Sequence, residues 1–393
     1  MKNIFSKIVQ SGVNILFTLS ALVGLSGCST LQSWSESLPA PRKEYKLQKL
    51  WVRSTLSKDN LEFRKINRMT PVLLGNLVIQ GNGLDGIQAF DRESGQLQWR
   101  LPVTNGIEAS AALINDRLFF GASDGAFYSI NARTGEVLWT FKTGTENIAE
   151  PLLQDGKIYF LAGNNTLYAL DAVDGKQLWL YSRPDTSSFS IRGGAKPVIN
   201  NKKLYTGFAD GSFIAFNADT GALLWESRLN KNKKFRDIDA MALVDGDNVY
   251  ISGYDDKLYC LNQNNGDIVW KLDQGGYSGI TLYGEKLLYS TTDGDVLSID
   301  KNTGKNIWRY KLKSGLATQA QVLKGFVIFG ESQGDLKFLD FQTGKEVISF
   351  TPGRGVMAAP LVDEQSHKVY FISGEANLYA LELLLDYPER WTR

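Results

Sequence analysis

Apolar and polar residues alternate in short runs of four to six positions from Leu47 to Leu385, and the runs are separated by turn residues. A period of two, interrupted this often, predicts half-buried β-strands joined by tight turns. Between Ser110 and Trp139 the chain reads SAALIND, RLFFGASDG, AFYSINARTG and EVLW, which predicts four strands with turns at Asn115-Asp116, Asp124-Gly125 and Thr134-Gly135. Asn, Asp and Gly suit these turns because they tolerate positive φ or bond to nearby backbone.

The last of the three hairpins is a repeated phrase: Asp or Asn, three residues, Gly, three residues, Trp. It occurs at Asp91/Gly95/Trp99, Asn131/Gly135/Trp139, Asp171/Gly175/Trp179, Asn217/Gly221/Trp225, Asn262/Gly266/Trp270 and Asp300/Gly304/Trp308. A seventh copy, Asp340/Gly344, has Ile348 in place of Trp. The glycines are spaced by 40, 40, 46, 45, 38 and 40 residues, a repeat length that with four strands per unit describes the blades of a β-propeller. One blade cannot bury both of its faces, so the Trp and the alternating apolar residues are expected to pack on the neighbouring blade.

The chain ends set the blade count. After Gly344 three more strands follow, in MAAPLVD from Met357, HKVYFIS from His367 and NLYALE from Asn377, without a fourth. Near the start LQKLWVR, from Leu47 to Arg53, carries Leu50-Trp51 where the other copies have their outer strand. The expected fold is therefore all-β: an eight-bladed β-propeller with four antiparallel strands per blade, closed by the N-terminal strand completing the last blade, which leaves no open blade.

Ahead of the repeats, residues 1–27 carry Lys2, Lys7 and an apolar run from Ile15 to Leu25, the layout of a secretory signal peptide. Leu25-Ser26-Gly27-Cys28 resembles a bacterial lipobox, which implies that Cys28 becomes a lipidated amino terminus. Ser29 stands where an inner-membrane retention signal would have Asp, so the same resemblance implies the outer membrane. Residues 28–45 form an aperiodic polar stretch with two prolines, read as a tether, and residues 46–393 as one propeller domain.

Charge and chemistry narrow the function classes. The 43 basic and 42 acidic residues leave no net field for nucleic acid. The sole histidine, His367, lies beside a turn, which argues against a histidine metal site or a catalytic triad in the ring. With Cys28 lipidated, Cys260 in LYCL has no disulfide partner and reads as a small core residue. Most carboxylates fall in the turn phrase, where they bond local backbone, and no glycine pair is followed by the Lys-Ser/Thr of a phosphate loop. No catalytic residue, metal ligand or cofactor is assigned.

The Thr-Gly-x-x-x-Trp hairpins resemble the propeller repeats of quinoprotein alcohol dehydrogenases, which makes a quinoprotein-like periplasmic enzyme one alternative. Those enzymes hold a vicinal Cys pair against the quinone, and this chain has no adjacent cysteines. A ligand-binding periplasmic propeller is a second alternative. The wider resemblance covers the whole chain: lipobox, tether and eight such repeats are similar to the BamB family of outer-membrane protein assembly lipoproteins. Phe189-Ser190-Ile191-Arg192-Gly193 is similar to that family's Leu-Ser-Leu-Arg-Gly, and Asp237-Ile238-Asp239 to its Asp-Val-Asp. Both stretches fall in the two long repeats.

The resemblance implies a non-enzymatic scaffold at the periplasmic face of the outer membrane, held there by lipid on Cys28. It further implies that Phe189 and Ile191 (apolar), Arg192 (cation), and Asp237 and Asp239 (acids) dock on the periplasmic domains of the BamA insertase. Accessory lipoproteins, and unfolded outer-membrane polypeptides at propeller edges, are the other expected partners. The run Lys231-Asn232-Lys233-Lys234-Phe235-Arg236 reads as solvated loop charge.

Overall fold

The computed structural model describes residues 44–57, 66–183, 194–230, 237–254, 257–276 and 278–386. The leader, Cys28, the tether, Phe189, Ile191 and Arg192 lie outside the described residues.

The chain begins with β1 (Glu44–Ser54), and the first blade follows as β2 (Val72–Leu74), β3 (Leu77–Asn82), β4 (Gly86–Asp91) and β5 (Leu97–Pro102). These four pair antiparallel in sequence order. The innermost strand is only three residues long, whereas β3 and β4 are buried on both sides and β5 alternates between exposed and half-buried. That gradient explains the sequence pattern: the two middle strands are almost continuously apolar, and only the outer strand keeps a clean period of two. Six further blades repeat the arrangement.

The eighth sheet has Leu361–Asp363, Lys368–Ile372 and Asn377–Asp386 as its inner three strands, with β1 hydrogen-bonded outside Asn377–Asp386. The ring therefore closes through the N-terminal strand, as the position of Trp51 predicts. The apolar core lies between blades. One cluster joins Ile79 and Ile87 of blade one to Leu118, Phe120 and Ile130 of blade two, and another joins Trp51, Tyr370 and Leu378 to Val78 and Phe90 across the closure.

Each Trp works at a blade junction. The Gly of the turn phrase adopts positive φ, and a Cβ built on it would lie inside van der Waals contact with the indole of the preceding blade: Trp51 on Gly95, Trp99 on Gly135, and so on to Trp308 on Gly344. The indole Nε1 then donates to a carbonyl of the same turn, from Trp51 to Arg92 at 3.0 Å, from Trp225 to Gln263 at 3.0 Å and from Trp308 to Phe341 at 3.0 Å. Glycine is thus required twice, for its backbone and for the ring above it. Asp91 and its equivalents accept backbone N–H bonds within the turn, as from Ser94 at 2.7 Å, which holds its carboxyl below the usual range.

Ile348 marks the one junction built differently. The outer strand of blade eight comes from the other end of the chain, so blade eight has no such turn and no glycine for an indole to cover. Ile348 packs instead in a cluster with Tyr45, Leu47 and Val52 of β1 and with Phe338 and Tyr379.

Candidate functional site

The residues just before each innermost strand occupy equivalent places around the ring axis. Arg68, Glu108, Ile148, Gly194, Asp239, Ser278, Thr318 and Met357, one from each blade, line a cavity of 190 Å³ at the channel mouth. Thr70, Ser110, Glu150, Lys196 and Met241 add further wall, and Lys196 is ion-paired to Glu150. Three carboxylates thus share the wall with two cations. Asp239 and Ser278 stand on adjacent blades, and both Asp239 Oδ1 and Ser278 Oγ are closed off without a hydrogen-bond partner. Burial, with Asp237 close behind it, pushes the Asp239 carboxyl up to about 7 against the opposing pull of Arg68.

Asp237 itself is 2% exposed. The peptide that follows it is pinned between two blades: the Ile238 N–H donates to the Phe208 carbonyl at 3.2 Å, and the Asp237 carbonyl accepts from the Tyr254 N–H at 3.4 Å. The packing is tight enough that a Cβ on Gly207 would collide with the Ile238 carbonyl. The structure thus brings Asp237 and Asp239 to the start of blade five, Asp237 buried and Asp239 on the channel wall. The sequence signal for the axial position is the repeat itself, because Asp239 stands four residues before its innermost strand just as Arg68 and Glu108 do.

Residues 184–193 and 231–236 lie outside the described residues, but their flanks are well defined. The first segment leads into blade four and the second leads out of it. On the near side, Arg183 donates to Asp210 at 2.7 Å, to Glu226 at 2.7 Å and to Ser212 at 3.1 Å. On the far side, Asn230 is 1% exposed and its N–H donates to Gly211 at 3.2 Å. Blade four therefore holds both stems, at the turn around Asp210, Gly211 and Ser212.

Cys260 is fully buried within its strand, and burial pushes its thiol up to about 12, far from a reactive thiolate. No group of three His, Cys, Asp or Glu residues is placed to hold a metal among the described residues.

Taken together, the tryptophan-docked blades and the sealed ring define an eight-bladed β-propeller. Residues 85–310 match the family model described as outer membrane protein assembly factor BamB. A relative of that name from Kangiella koreensis is 33% identical over 374 residues, covering 89% of this chain and 92% of its own. The chain belongs to the BamB family. Among solved structures, that of BamB from Moraxella catarrhalis superposes with a TM-score of 0.73 at 20% identity, covering 86% of this chain and all of that one. Quinohemoprotein alcohol dehydrogenase from Comamonas testosteroni gives a TM-score of 0.72 at 14% identity, covering 85% of this chain and 76% of its own, a likeness of fold alone.

Proposed function

We propose that this protein is a non-enzymatic outer-membrane protein assembly factor that works from the periplasmic face, held by lipid on Cys28 and docked on the periplasmic domains of a BamA-type insertase. The observation that carries the reading is the match to relatives named as assembly factors over nearly the full length of the chain. Phe189, Ile191 and Arg192 form the proposed contact. Asp237 and Asp239 are its acidic part, on the stretch that leads into blade five. The two stretches fall in the two long repeats, and blade four holds the described stems of both.

The test is co-purification of the insertase from detergent-solubilised outer membranes. Arg192→Glu is expected to reduce recovery while leaving the thermal unfolding of the propeller unchanged, because a charge that serves at an interface centre contributes to binding and not to the fold. Wild-type recovery for Arg192→Glu, Ile191→Ala and Phe189→Ala alike would refute docking through this connection. Cys28→Ser is expected to release the protein into the periplasmic fraction.

A further inference from the structure

We propose that the outer strand of blade three, Gln177–Ser182, is an open sheet edge that takes up an extended, uncharged polypeptide segment of the kind found in outer-membrane β-strands. The inference rests on the reading of this chain as an assembly factor and goes beyond it by naming the edge and its guest. The strand is bonded on one side only, to Thr166–Asp171, and ends its sheet. An outermost strand presents a row of backbone N–H and C=O groups to any other strand that arrives, and native sheets blunt such edges with charge.

Seven of the eight outer strands are blunted in this way, each with at least one Lys, Arg or Glu. The residue after the Trp, or after Ile348, is exposed and polar in six blades: Arg100, Thr140, Glu226, Lys271, Arg309 and Ser349. Its counterpart in blade eight, Val52, is packed in the Ile348 cluster. In blade three it is Leu180, 46% exposed, with Leu178 at 44% two positions earlier, and the strand QLWLYS has no charge at all. Exposed aliphatics precede the Trp elsewhere, as at Ile268 and Val269, but there Lys271 follows. The junction with blade four does not use the two leucines. Trp179 donates to the Ala218 carbonyl at 3.0 Å and Tyr181 meets Phe216 edge-on at 4.8 Å, whereas Leu180 lies on the opposite face, across from Tyr168 and toward blade two.

The edge selects its guest. Unpaired backbone groups in strand register accept another strand, which adds to the sheet through main-chain bonds while its alternate side chains supply the specificity. Leu178 and Leu180 favour apolar side chains beside them, and Arg183, which follows the strand, is already bound to Asp210 and Glu226 and so holds no charged guest. Segments of about ten residues that alternate apolar and polar positions, as membrane-spanning β-strands do, meet both requirements. A second copy of this chain suits the edge less well. Six residues extend over about 20 Å, and a contact of that length falls far short of the ~1,200 Å² that a stable complex buries. The edge therefore holds a passing segment rather than a fixed partner. Along the chain it is followed within ten residues by Phe189, Ile191 and Arg192, so guest edge and proposed insertase contact are sequence neighbours.

The experiment titrates the full-length protein in a non-ionic detergent with a fluorescent peptide of four Thr-Val repeats flanked by one lysine and one glutamate. The control is the same peptide N-methylated throughout the repeats, which keeps the side chains and removes the backbone donors. Saturable binding at one site, at roughly 10–500 μM, is expected for the first peptide and not for the second, with slower hydrogen exchange confined to Gln177–Ser182. Leu180→Lys, which copies Lys271 of blade five, is expected to weaken binding by about tenfold or more. Leu180→Thr, which copies Thr140 of blade two, is expected to weaken it about threefold and keeps the test open if the lysine variant fails to fold. The proposal is overturned if the peptide does not saturate, if the methylated peptide binds as well, if protection falls on another outer strand, or if Leu180→Lys folds and binds like wild type. Dimerisation of the protein that Leu180→Lys abolishes would give the edge to a second copy, and loss of the insertase from Leu180→Lys would give it to the insertase; either result also overturns the proposal. Insertase recovery by the wild type is read separately, so failure of peptide binding leaves the docking reading standing, and failure of docking leaves the edge to be judged by the peptide.

Discussion

The contact between Trp308 and Gly344 can be taken apart by a double-mutant cycle. A methyl group on Gly344 would lie 2.6 Å from two indole carbons of Trp308, and the residue would be held at φ +67. The backbone strain alone costs about 1–2 kcal/mol for an L side chain, and the overpacking against the ring about 1–3 kcal/mol more. Gly344→Ala is therefore expected to destabilise by about 2–5 kcal/mol. Trp308 is 8% exposed and also donates to the Phe341 carbonyl, so Trp308→Ala is expected to cost about 3–5 kcal/mol. Once the indole is gone, the alanine methyl meets empty space, and only the φ term survives in the double variant. The two losses should then fall short of additivity by about 1–3 kcal/mol. The assay is urea unfolding followed by far-UV circular dichroism, with midpoints compared at constant slope. Additivity within about 0.5 kcal/mol would show that the glycine is there for its backbone alone and that the indole does not staple the blades.

The remaining expectations concern other junctions and the channel. Trp51→Ala should cost about 3–5 kcal/mol, like its internal counterparts, because β1 is the outer strand of blade eight; a loss below about 1 kcal/mol in the same urea assay would mean that the closure is not stapled. Ile348→Trp should not stabilise and should lower the midpoint, since the indole would find no turn glycine beneath it and would overfill a packed cluster; a higher midpoint would refute that account. Asp239→Asn should raise stability more at pH 7.5 than at pH 5. With a folded carboxyl titrating near 7 and an unfolded one near the ordinary value of 3.8, the folded state binds more protons between those limits, so the wild type loses stability as pH rises through that window. After allowance for solvent at the channel wall the difference is about 1–2 kcal/mol, and equal gains at both pH values would show that Asp239 is ordinarily ionised.

The fold was legible because its repeats carry two signals at once. The alternating runs mark strands, and the Gly-x-x-x-Trp spacing ties one blade to the next, so blade count, strand order and closure through Trp51 followed from residue positions. The exception at Ile348 was visible as well, but its cause was not. It depends on which end of the chain supplies the last outer strand, and hence on the missing turn in blade eight. The site was less legible. Asp237 and Asp239 sit in a loop-like stretch of sequence, where exposure is the usual expectation, yet the stretch is drawn inward across Gly207, which leaves Asp237 buried and Asp239 on the channel wall. Inward direction belongs to ring geometry, which places one residue from every blade about a common axis. It becomes readable only when Arg68, Glu108, Asp239 and Ser278 are aligned on their repeat position rather than read along the chain.

That geometry separates two kinds of variation in a propeller. The staples constrain each blade to a Gly, a Trp and a turn carboxylate or amide, and these positions leave little freedom. The axial positions have no such constraint: they hold Arg, Glu, Ile, Gly, Asp, Ser, Thr and Met in successive blades. Stability drawn from blade junctions does not require polar groups at the axis, and burying Asp239 beside Asp237 works against it. The same holds for the connections on either side of blade four, which exceed what a blade needs while their stems are tied down by Arg183 and by the backbone at Asn230 and Ile238. In a ring held by stapled junctions, the residues that work against stability or lengthen a connection are those the junctions do not account for, and here they lie at the channel mouth and on the flanks of blade four.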